Sequence, residues 1–310
     1  MPAAIEVRGL AKTYGEVHAV AGIDFSVRDG EVFAFLGPNG AGKTTTVEIL
    51  EGLRKRTSGE VRVLGLDPWT EGTELHRMTG VIPQDFRFFD KIHPKEAIEY
   101  YGVLFGAHPD ADAILKRVGL SEKADARYDT LSGGQKQKLG LALALTNDPK
   151  VCFLDEPTTG LDPQARRSIW EVIRELRNEG RTVFLTTHYL EEAELLANQV
   201  AIIDHGRIIA SGTPAEIIDQ YGRPDRLRVQ AAPSLAPYLH DRLGVEARAH
   251  DGRVEVTMTH KSDALRILSA IESSGIPWEG FATEKDTLED VFVSLVGRMD
   301  EGELKTGAPR

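Results

Sequence analysis

The sequence predicts an α/β protein in two parts: a parallel sheet covered on both faces by helices up to about residue 218, then a small α+β module. Three observations predict it. Nearly continuous apolar runs alternate with helical stretches, the pattern of strands buried on both faces. Residues 94–147 are rich in Ala, Leu and Glu and poor in strand-like runs, which marks a helical subdomain set between sheet strands. Past a polar, turn-rich joint at residues 219–225 the pattern compresses to β-α-β-β-α-β-α, compatible with a ferredoxin-like module.

The elements follow in order. Residues 33–36 form a buried strand that runs into a glycine-rich loop, and residues 44–54 read as the next helix. Further buried strands fall at 151–154, 182–186 and 200–203. Beyond the joint, Leu227 and Val229 alternate with polar residues. Leu235, Leu239 and Leu243 then keep helical spacing, and Gly244 suits a C-cap. Residues 245–250 and 254–258 flank Asp251-Gly252, a hairpin signal. Ser262 caps a second helix that ends near Gly275, and a strand at 276–282 follows. Thr287 and Asp290 resemble a capping box, ahead of a helix whose Leu288, Val291, Phe292, Leu295 and Val296 share one face. The expected domains are residues 1–219 and 226–298, with a loose polar tail at 299–310.

Composition narrows the function. The 310 residues are 41% hydrophobic and 27% charged, ample for a core and unlike a disordered chain. Lysine and arginine total 37 against 48 acidic residues, a net charge of -11, which disfavours a general binder of nucleic acid or anionic membrane. The single Cys152 allows no internal disulfide and fits a reducing compartment. The longest apolar runs, such as 139–145, fall far short of the roughly 20 residues that span a bilayer. Residues 1–10 carry Glu6 and Arg8 and lack a signal core. Any membrane role then needs a second chain.

Two motifs carry phosphate chemistry. Gly37-Pro38-Asn39-Gly40-Ala41-Gly42-Lys43-Thr44 fits G-x-x-x-x-G-K-[ST] between a predicted strand and a predicted helix. Glycines let backbone N–H groups face phosphate, and the helix N-terminus adds positive potential. Lys43 is placed for the β- and γ-phosphates and the Thr44 hydroxyl for Mg²⁺. Residues 151–156 end a buried strand on Asp155 and Glu156, suited to hold Mg²⁺ and to orient or deprotonate an attacking water. The bland alternatives are a glycine-rich turn and a solvated acidic turn. Together the motifs indicate a P-loop NTPase.

A third motif, Leu131-Ser132-Gly133-Gly134-Gln135, resembles the signature of ATP-binding cassette (ABC) ATPases. Taken alone it is equally a helix N-cap at Ser132 with flexible glycines. The surrounding order matches that family: Tyr14 in the place of the adenine-stacking aromatic, Gln84 of the Q-loop glutamine, Leu161-Asp162 of the D-loop, His188 of the switch histidine. Outside that order Tyr14 would be a packed strand end, Gln84 a surface residue and His188 a structural histidine. The resemblance spans residues 5–218 and implies a RecA-like core plus helical subdomain. It implies ATP hydrolysis to ADP and phosphate with ATP and Mg²⁺ bound, Thr44, Gln84 and Asp155 near the metal, and Thr45 near phosphate. Glu156 is then the principal catalytic carboxylate and His188 its support. The family arrangement is a head-to-tail homodimer with ATP between the Lys43 loop of one subunit and the Ser132 loop of the other.

Thr287-Leu288-Glu289-Asp290-Val291-Phe292 resembles an ending common in ATPase subunits of daunorubicin-type multidrug exporters. That implies separate polytopic membrane permease subunits as partners, a place on the inner face of the cell membrane through them, and neither nucleic-acid binding nor direct lipid insertion. The rivals are a soluble cassette ATPase acting as a non-transport mechanical switch, a regulatory module without hydrolysis, and an importer ATPase. Residues 85–106 read as helix after Gln84 and hold Phe86, Phe88, Phe89, Tyr100, Tyr101 and Phe105. In the family this region receives coupling helices, so Phe88 and Phe89 are expected in a docking surface, with internal packing the alternative for each.

Overall fold

The computed structural model describes residues 3–84, 86–260 and 262–300, and the chain divides into two compact units between Glu216 and Ile217. In the first unit, β1 (Ala3–Tyr14) and β2 (Val17–Arg28) pair antiparallel across a tight turn. β3 (Val32–Leu36), buried throughout, leads through the glycine loop into α1 (Lys43–Leu50). β4 (Ser58–Val63) pairs with β1, completing a three-stranded sheet in the order β2-β1-β4. The short α2 (Gly72–Leu75) precedes β5 (Thr79–Ile82). Then come the helices α3 (Pro94–Phe105), α4 (Ala111–Arg117) and α5 (Gly133–Ala144). The chain continues through β6 (Val151–Asp155), α6 (Pro163–Asn178), β7 (Thr182–Thr186), α7 (Leu190–Leu196), β8 (Gln199–Asp204) and β9 (Arg207–Gly212).

These strands form a six-stranded sheet in the order β5-β6-β7-β3-β8-β9. It is parallel except for β9, which pairs antiparallel with β8 at the edge. Alternate residues enter two cores. Cys152, Leu154 and Leu185 face Leu139 and Leu143 of α5 and Ile169 and Ile173 of α6. Phe33, Phe35, Phe153 and Phe184 face Val47 and Leu50 of α1 and Ile5, Val7 and Leu10 of β1. The Phe184 ring lies 5.5–5.9 Å from those of Phe33, Phe35 and Phe153, within the range of favourable aromatic pairs. Because the carboxyl ends of β3, β5, β6 and β7 share one edge, the loops that follow them converge there, where open α/β sheets bind ligands.

The second unit begins within α8 (Pro214–Tyr221) and contains β10 (Arg226–Ala231), α9 (Leu235–Leu243), β11 (Ala247–His250), β12 (Arg253–Thr257), α10 (Asp263–Ser273), β13 (Trp278–Glu284) and α11 (Leu288–Asp300). Its antiparallel sheet runs β11-β12-β10-β13, the order a ferredoxin-like β-α-β-β-α-β chain gives. Leu227, Val229, Val254 and Val256 pack on Leu235, Leu239, Ile267 and Ile271. Asp251, at φ 48°, and Gly252, at φ 72°, take the left-handed conformations that a tight hairpin requires.

The structure departs from several expectations. It adds the antiparallel sheet of β1, β2 and β4 and the edge strand β9; bulges in β1 and β2 blur the alternation that would announce them. Residues 86–93 are not helical: α3 starts at Pro94, capped by His93, because proline belongs in a first turn and not an interior. Asp85 lies outside the described residues. α1 stops at Leu50 instead of residue 54, since Gly52 turns left-handed at φ 76°. The last strand runs from Trp278 to Glu284, displaced from 276–282. α11 continues to Asp300, into the expected tail, and residues 301–310 lie outside the described residues.

Candidate active site

The phosphate loop is built by exclusion of side chains. A Cβ on Gly37 would stand 2.2 Å from the Ile203 carbonyl oxygen, and one on Gly42 2.4 Å from that of Ala19. The loop is thus packed against β8 and β2, and Gly40 and Gly42 turn it at φ 81° and 108°, where glycine is favoured. Pro38, Asn39, Gly40 and Thr44 keep an accessible face, Ala41 is buried and Thr45 is half-buried. Lys43, only 7% exposed, donates to the carbonyls of Gly37 (2.7 Å) and Pro38 (3.0 Å). Burial pulls its pKa down, opposed by the charges of Glu156 and Asp155.

β6 delivers those carboxylates. Asp155 Oδ1 accepts the Thr186 hydroxyl, and Thr186 pairs with both Phe35 and Asp155 in the sheet, so this threonine stands between the two motif-bearing strands. Desolvation pushes the Asp155 pKa up, the Thr186 bond pulls it down, and neighbouring Glu156 pushes it up again. Glu156 holds a left-handed φ of 49°, unfavourable for a residue with a side chain and clustered in proteins at functional sites. Its N–H is anchored on the Thr186 carbonyl and hydroxyl oxygens, each at 3.1 Å.

Three groups converge on one oxygen of the Glu156 side chain. Oε2 accepts from Thr159 Oγ1 at 3.0 Å and Gln84 Nε2 at 3.3 Å, and lies 3.1 Å from His188 Nδ1. Among the described residues Oε1 accepts no hydrogen bond. The structure therefore brings Gln84, Glu156 and His188 together.

Sequence reasoning misses the residues that brace this cluster. Glu192, on α7 and fully buried, accepts from the hydroxyls of Thr158 and Thr187 (2.9 Å for the latter) and from Trp170 Nε1 (3.1 Å). It thereby ties the segment after Glu156 to the segment before His188. The Tyr189 ring lies 4.1 Å from that of His188, tilted by 38°, and carries the Arg166 guanidinium 4.9 Å over its face. The paired threonines ahead of His188 are the available signal, since hydroxyls at a strand end need partners.

The other expected residues lie elsewhere. Ser132 caps α5: its hydroxyl accepts from Gln135 N–H and the Gln135 side chain accepts from Ser132 N–H (2.9 Å). Ser132 and Gly133 are exposed; a Cβ on Gly134 would stand 3.2 Å from Ala165 Cβ, so this turn packs beside α6. Among the described residues no hydrogen bond joins residues 132–135 to the phosphate loop. Asp162 caps α6 through the N–H groups of Gln164 and Ala165. Tyr14 ends β1, 40% exposed, with Lys12 Nζ and the Arg54 guanidinium 4.8 and 5.5 Å from its ring. Phe88 packs inward among Phe86, Tyr101 and Phe89, while Phe89 is 65% exposed.

The donor set suits a nucleotide carried with Mg²⁺, an ion that takes oxygen ligands and retains waters and phosphate oxygens. The Thr44 hydroxyl, the Asp155 carboxylate and the Gln84 amide oxygen are such donors. Among the described residues no group of three or more His, Cys, Asp or Glu could by itself hold a metal ion.

Known proteins resemble this chain over most of its length. Residues 20–159 match the ABC transporter family. The Nod factor export ATP-binding protein I of Cupriavidus metallidurans is 39% identical over 96% of this chain and 99% of its own. The daunorubicin/doxorubicin resistance ATP-binding protein DrrA of Streptomyces peucetius is 35% identical over 95% and 92%. An ATP-binding subunit of an ABC transporter superposes with a TM-score of 0.65 at 28% identity, covering 71% of this chain and 93% of that one. A dimeric cassette bound to ADP and Pi gives 0.61 at 26% identity, covering 67% and 98%. With its P-loop, its paired acids and full-length relatives of this kind, the chain belongs to the ABC transporter ATP-binding family, ATPases that bind ATP with Mg²⁺.

Proposed function

We propose that this chain is the motor subunit of an exporter, in which two copies close on ATP and transmit that closure to separate membrane subunits. The observation that carries the catalytic reading is Glu156, whose Oε2 is held by three groups while Oε1 accepts no protein donor among the described residues. Oε1 would take the proton of a water as that water's oxygen bonds the γ-phosphorus and the bond to the ADP oxygen breaks. His188 orients the carboxylate, and Lys43 faces the phosphates. Mg²⁺, when bound, supplies charge neutralisation at the β- and γ-phosphates, with Thr44, Gln84 and Asp155 as the residues to hold it.

The dimer is supported by the second helix start. Ser132 and Gly133 are exposed at the start of α5 and, among the described residues, make no hydrogen bond to the phosphate loop of their own chain, which leaves this helix N-terminus open to the nucleotide of a second copy. Export is supported by the functions for which the relatives are named, Nod factor export and daunorubicin resistance. No helix among the described residues is long and apolar enough to cross a membrane, so the transport path would belong to another chain.

The test is to identify a polytopic membrane protein encoded beside this chain and to co-express the two. A stable complex whose ATPase activity exceeds that of the isolated chain is expected. A chain that hydrolyses ATP but forms no such complex favours the non-transport switch.

A further inference from the structure

We propose that Arg166 and Tyr189 are positioning residues for hydrolysis: the guanidinium clamps the Tyr189 ring, and the ring holds the His188 imidazole in reach of Glu156. The proposal rests on the reading of Glu156 as the base.

His188 reaches Glu156 through a single contact, Nδ1 to Oε2 at 3.1 Å. Its side chain is 44% exposed, and among the described residues its Nε2 makes no hydrogen bond. A half-exposed ring with one polar contact keeps rotamer freedom, which must be given up each time the ring is aimed. Tyr189 is what limits it, with its ring centre 4.1 Å from that of His188. Tyr189 is itself fixed twice. Its N–H donates to Thr187 Oγ1 at 2.9 Å, the same hydroxyl that donates to Glu192, so its backbone is set. Its ring lies beneath the Arg166 guanidinium, 4.9 Å from ring centre to Cζ, a cation–π distance. Among the described residues the Tyr189 hydroxyl makes no hydrogen bond, so the ring is the part engaged.

Arg166 has no competing engagement. Among the described residues its side chain makes no hydrogen bond and no ion pair, and its Nε is buried without a partner. An unpaired buried donor is unfavourable and calls for a reason; the aromatic face is the attraction this guanidinium has. The cation is delivered from a fixed element. α6 starts on the Asp162 side chain, which accepts from the N–H groups of Gln164 and Ala165. Four residues beyond Arg166, on the same helix face, Trp170 Nε1 donates to Glu192 at 3.1 Å. α6 thus meets residues 187–192 at two points. Trp170 and Glu192 secure the backbone of that segment, and Arg166 and Tyr189 secure the ring beside the reacting pair. Displacing that ring releases His188, and a misplacement of about 1 Å can cost roughly a hundredfold in rate.

Steady-state ATP hydrolysis by the full chain tests the pair. Arg166→Met keeps the stem and removes the charge. Its kcat should fall roughly three- to thirtyfold while KM stays within about twofold, and Arg166→Lys, which keeps a cation, should fall less. Tyr189→Leu should cost at least as much as Arg166→Met. Tyr189→Phe keeps the ring and should retain most of the wild-type kcat. Combining Arg166→Met with Tyr189→Leu should cost no more than Tyr189→Leu alone, because the cation then has no ring to hold. Wild-type kcat in Arg166→Met or Tyr189→Leu, a Tyr189→Phe as slow as Tyr189→Leu, or losses that multiply in the double variant overturn the proposal. A second readout is independent of turnover. In NMR spectra of the histidine-labelled chain, the His188 ring signal, assigned through His188→Gln, should move in Tyr189→Leu and move in the same direction in Arg166→Met. A His188 signal unchanged in Arg166→Met overturns the clamp. The two levels separate. Normal turnover in Glu156→Gln rejects the base, while the histidine spectra still decide whether Arg166 places the ring; lost turnover in Glu156→Gln beside normal turnover in Arg166→Met rejects the positioning pair alone.

Discussion

His188 Nδ1 stands 3.1 Å from Glu156 Oε2, the oxygen that Thr159 and Gln84 also contact. Crowding these groups on one oxygen restrains the carboxylate plane, and in the proposed mechanism it leaves Oε1 to accept the proton. Glu156→Gln keeps the shape and removes the proposed base. Its turnover should fall roughly 10²–10⁴-fold, the usual contribution of a positioned base, while ATP affinity stays within severalfold. Radiolabelled ATP hydrolysis and equilibrium binding check both, and sizing with ATP should show a persistent dimer. Turnover at the wild-type rate would remove Glu156 from the chemistry.

Lys43 is expected to behave differently, because the role proposed for it is binding. Its ammonium is desolvated and parked on two loop carbonyls, close enough to Glu156 and Asp155 for their charges to oppose that desolvation. Phosphates would replace those carbonyls as partners. Lys43→Ala should weaken nucleotide binding by roughly tenfold to a hundredfold, the effect of losing a charge-assisted hydrogen bond. Titration with a fluorescent ATP analogue reads this directly; unchanged affinity contradicts it.

Glu192 is expected to couple stability to catalysis. Truncation would leave the Thr158, Thr187 and Trp170 donors without their acceptor, at about 1–3 kcal/mol for each buried group left unsatisfied. Glu192→Ala should lower the urea midpoint clearly. Glu192→Gln keeps one acceptor oxygen and should recover part of that loss. Because the bracket joins the segments bearing Glu156 and His188, kcat should drop in Glu192→Gln with little change in KM. A pure stability effect with normal kcat would confine Glu192 to folding.

The parallel sheet is legible in the sequence because each of its central strands is a short apolar run, and both motif loops sit at the ends of such runs. The ferredoxin-like unit is legible from alternation at Leu227 and Val229 and from the Asp251-Gly252 turn. What escapes is structure without a clean period. β1 and β2 are bulged and half exposed, so their apolar residues do not alternate strictly. Glu192 reads as one more acid on a surface helix, since nothing local announces that Thr158 and Trp170 meet it across the fold. Glu51 is invisible for the same reason: its burial comes from packing around the end of α1, not from its neighbours in sequence.

Cys152 offers a check on the core. It is fully buried on β6, and burial raises its pKa to about 12. Thiolate reactivity requires both access and ionisation. Iodoacetamide should leave the native chain unlabelled over times that label it completely in urea. Rapid native labelling would mean that β6 opens locally.

Glu51 gives the stability a specific pH dependence. Its pKa is about 8 in the folded chain against 4.5 for an ordinary glutamate. Below about pH 4.5 both states hold the proton and the group contributes no slope. Between about 4.5 and 8 the unfolded chain releases the proton while the folded chain keeps it, so this residue's effect on stability becomes more unfavourable as pH rises. Above about 8 both states are ionised and the penalty is constant, a few kcal/mol at roughly 1.4 kcal/mol for each tenfold change in the acid constant. Glu51→Gln is neutral at every pH and escapes the penalty. The Tm advantage of Glu51→Gln over wild type should therefore be small near pH 5, grow through pH 7 and level off beyond pH 8. Other titrating groups act equally on both proteins, so the difference between the two melting curves isolates this one. An advantage that does not change with pH would mean that the buried carboxyl is already ionised in the free protein.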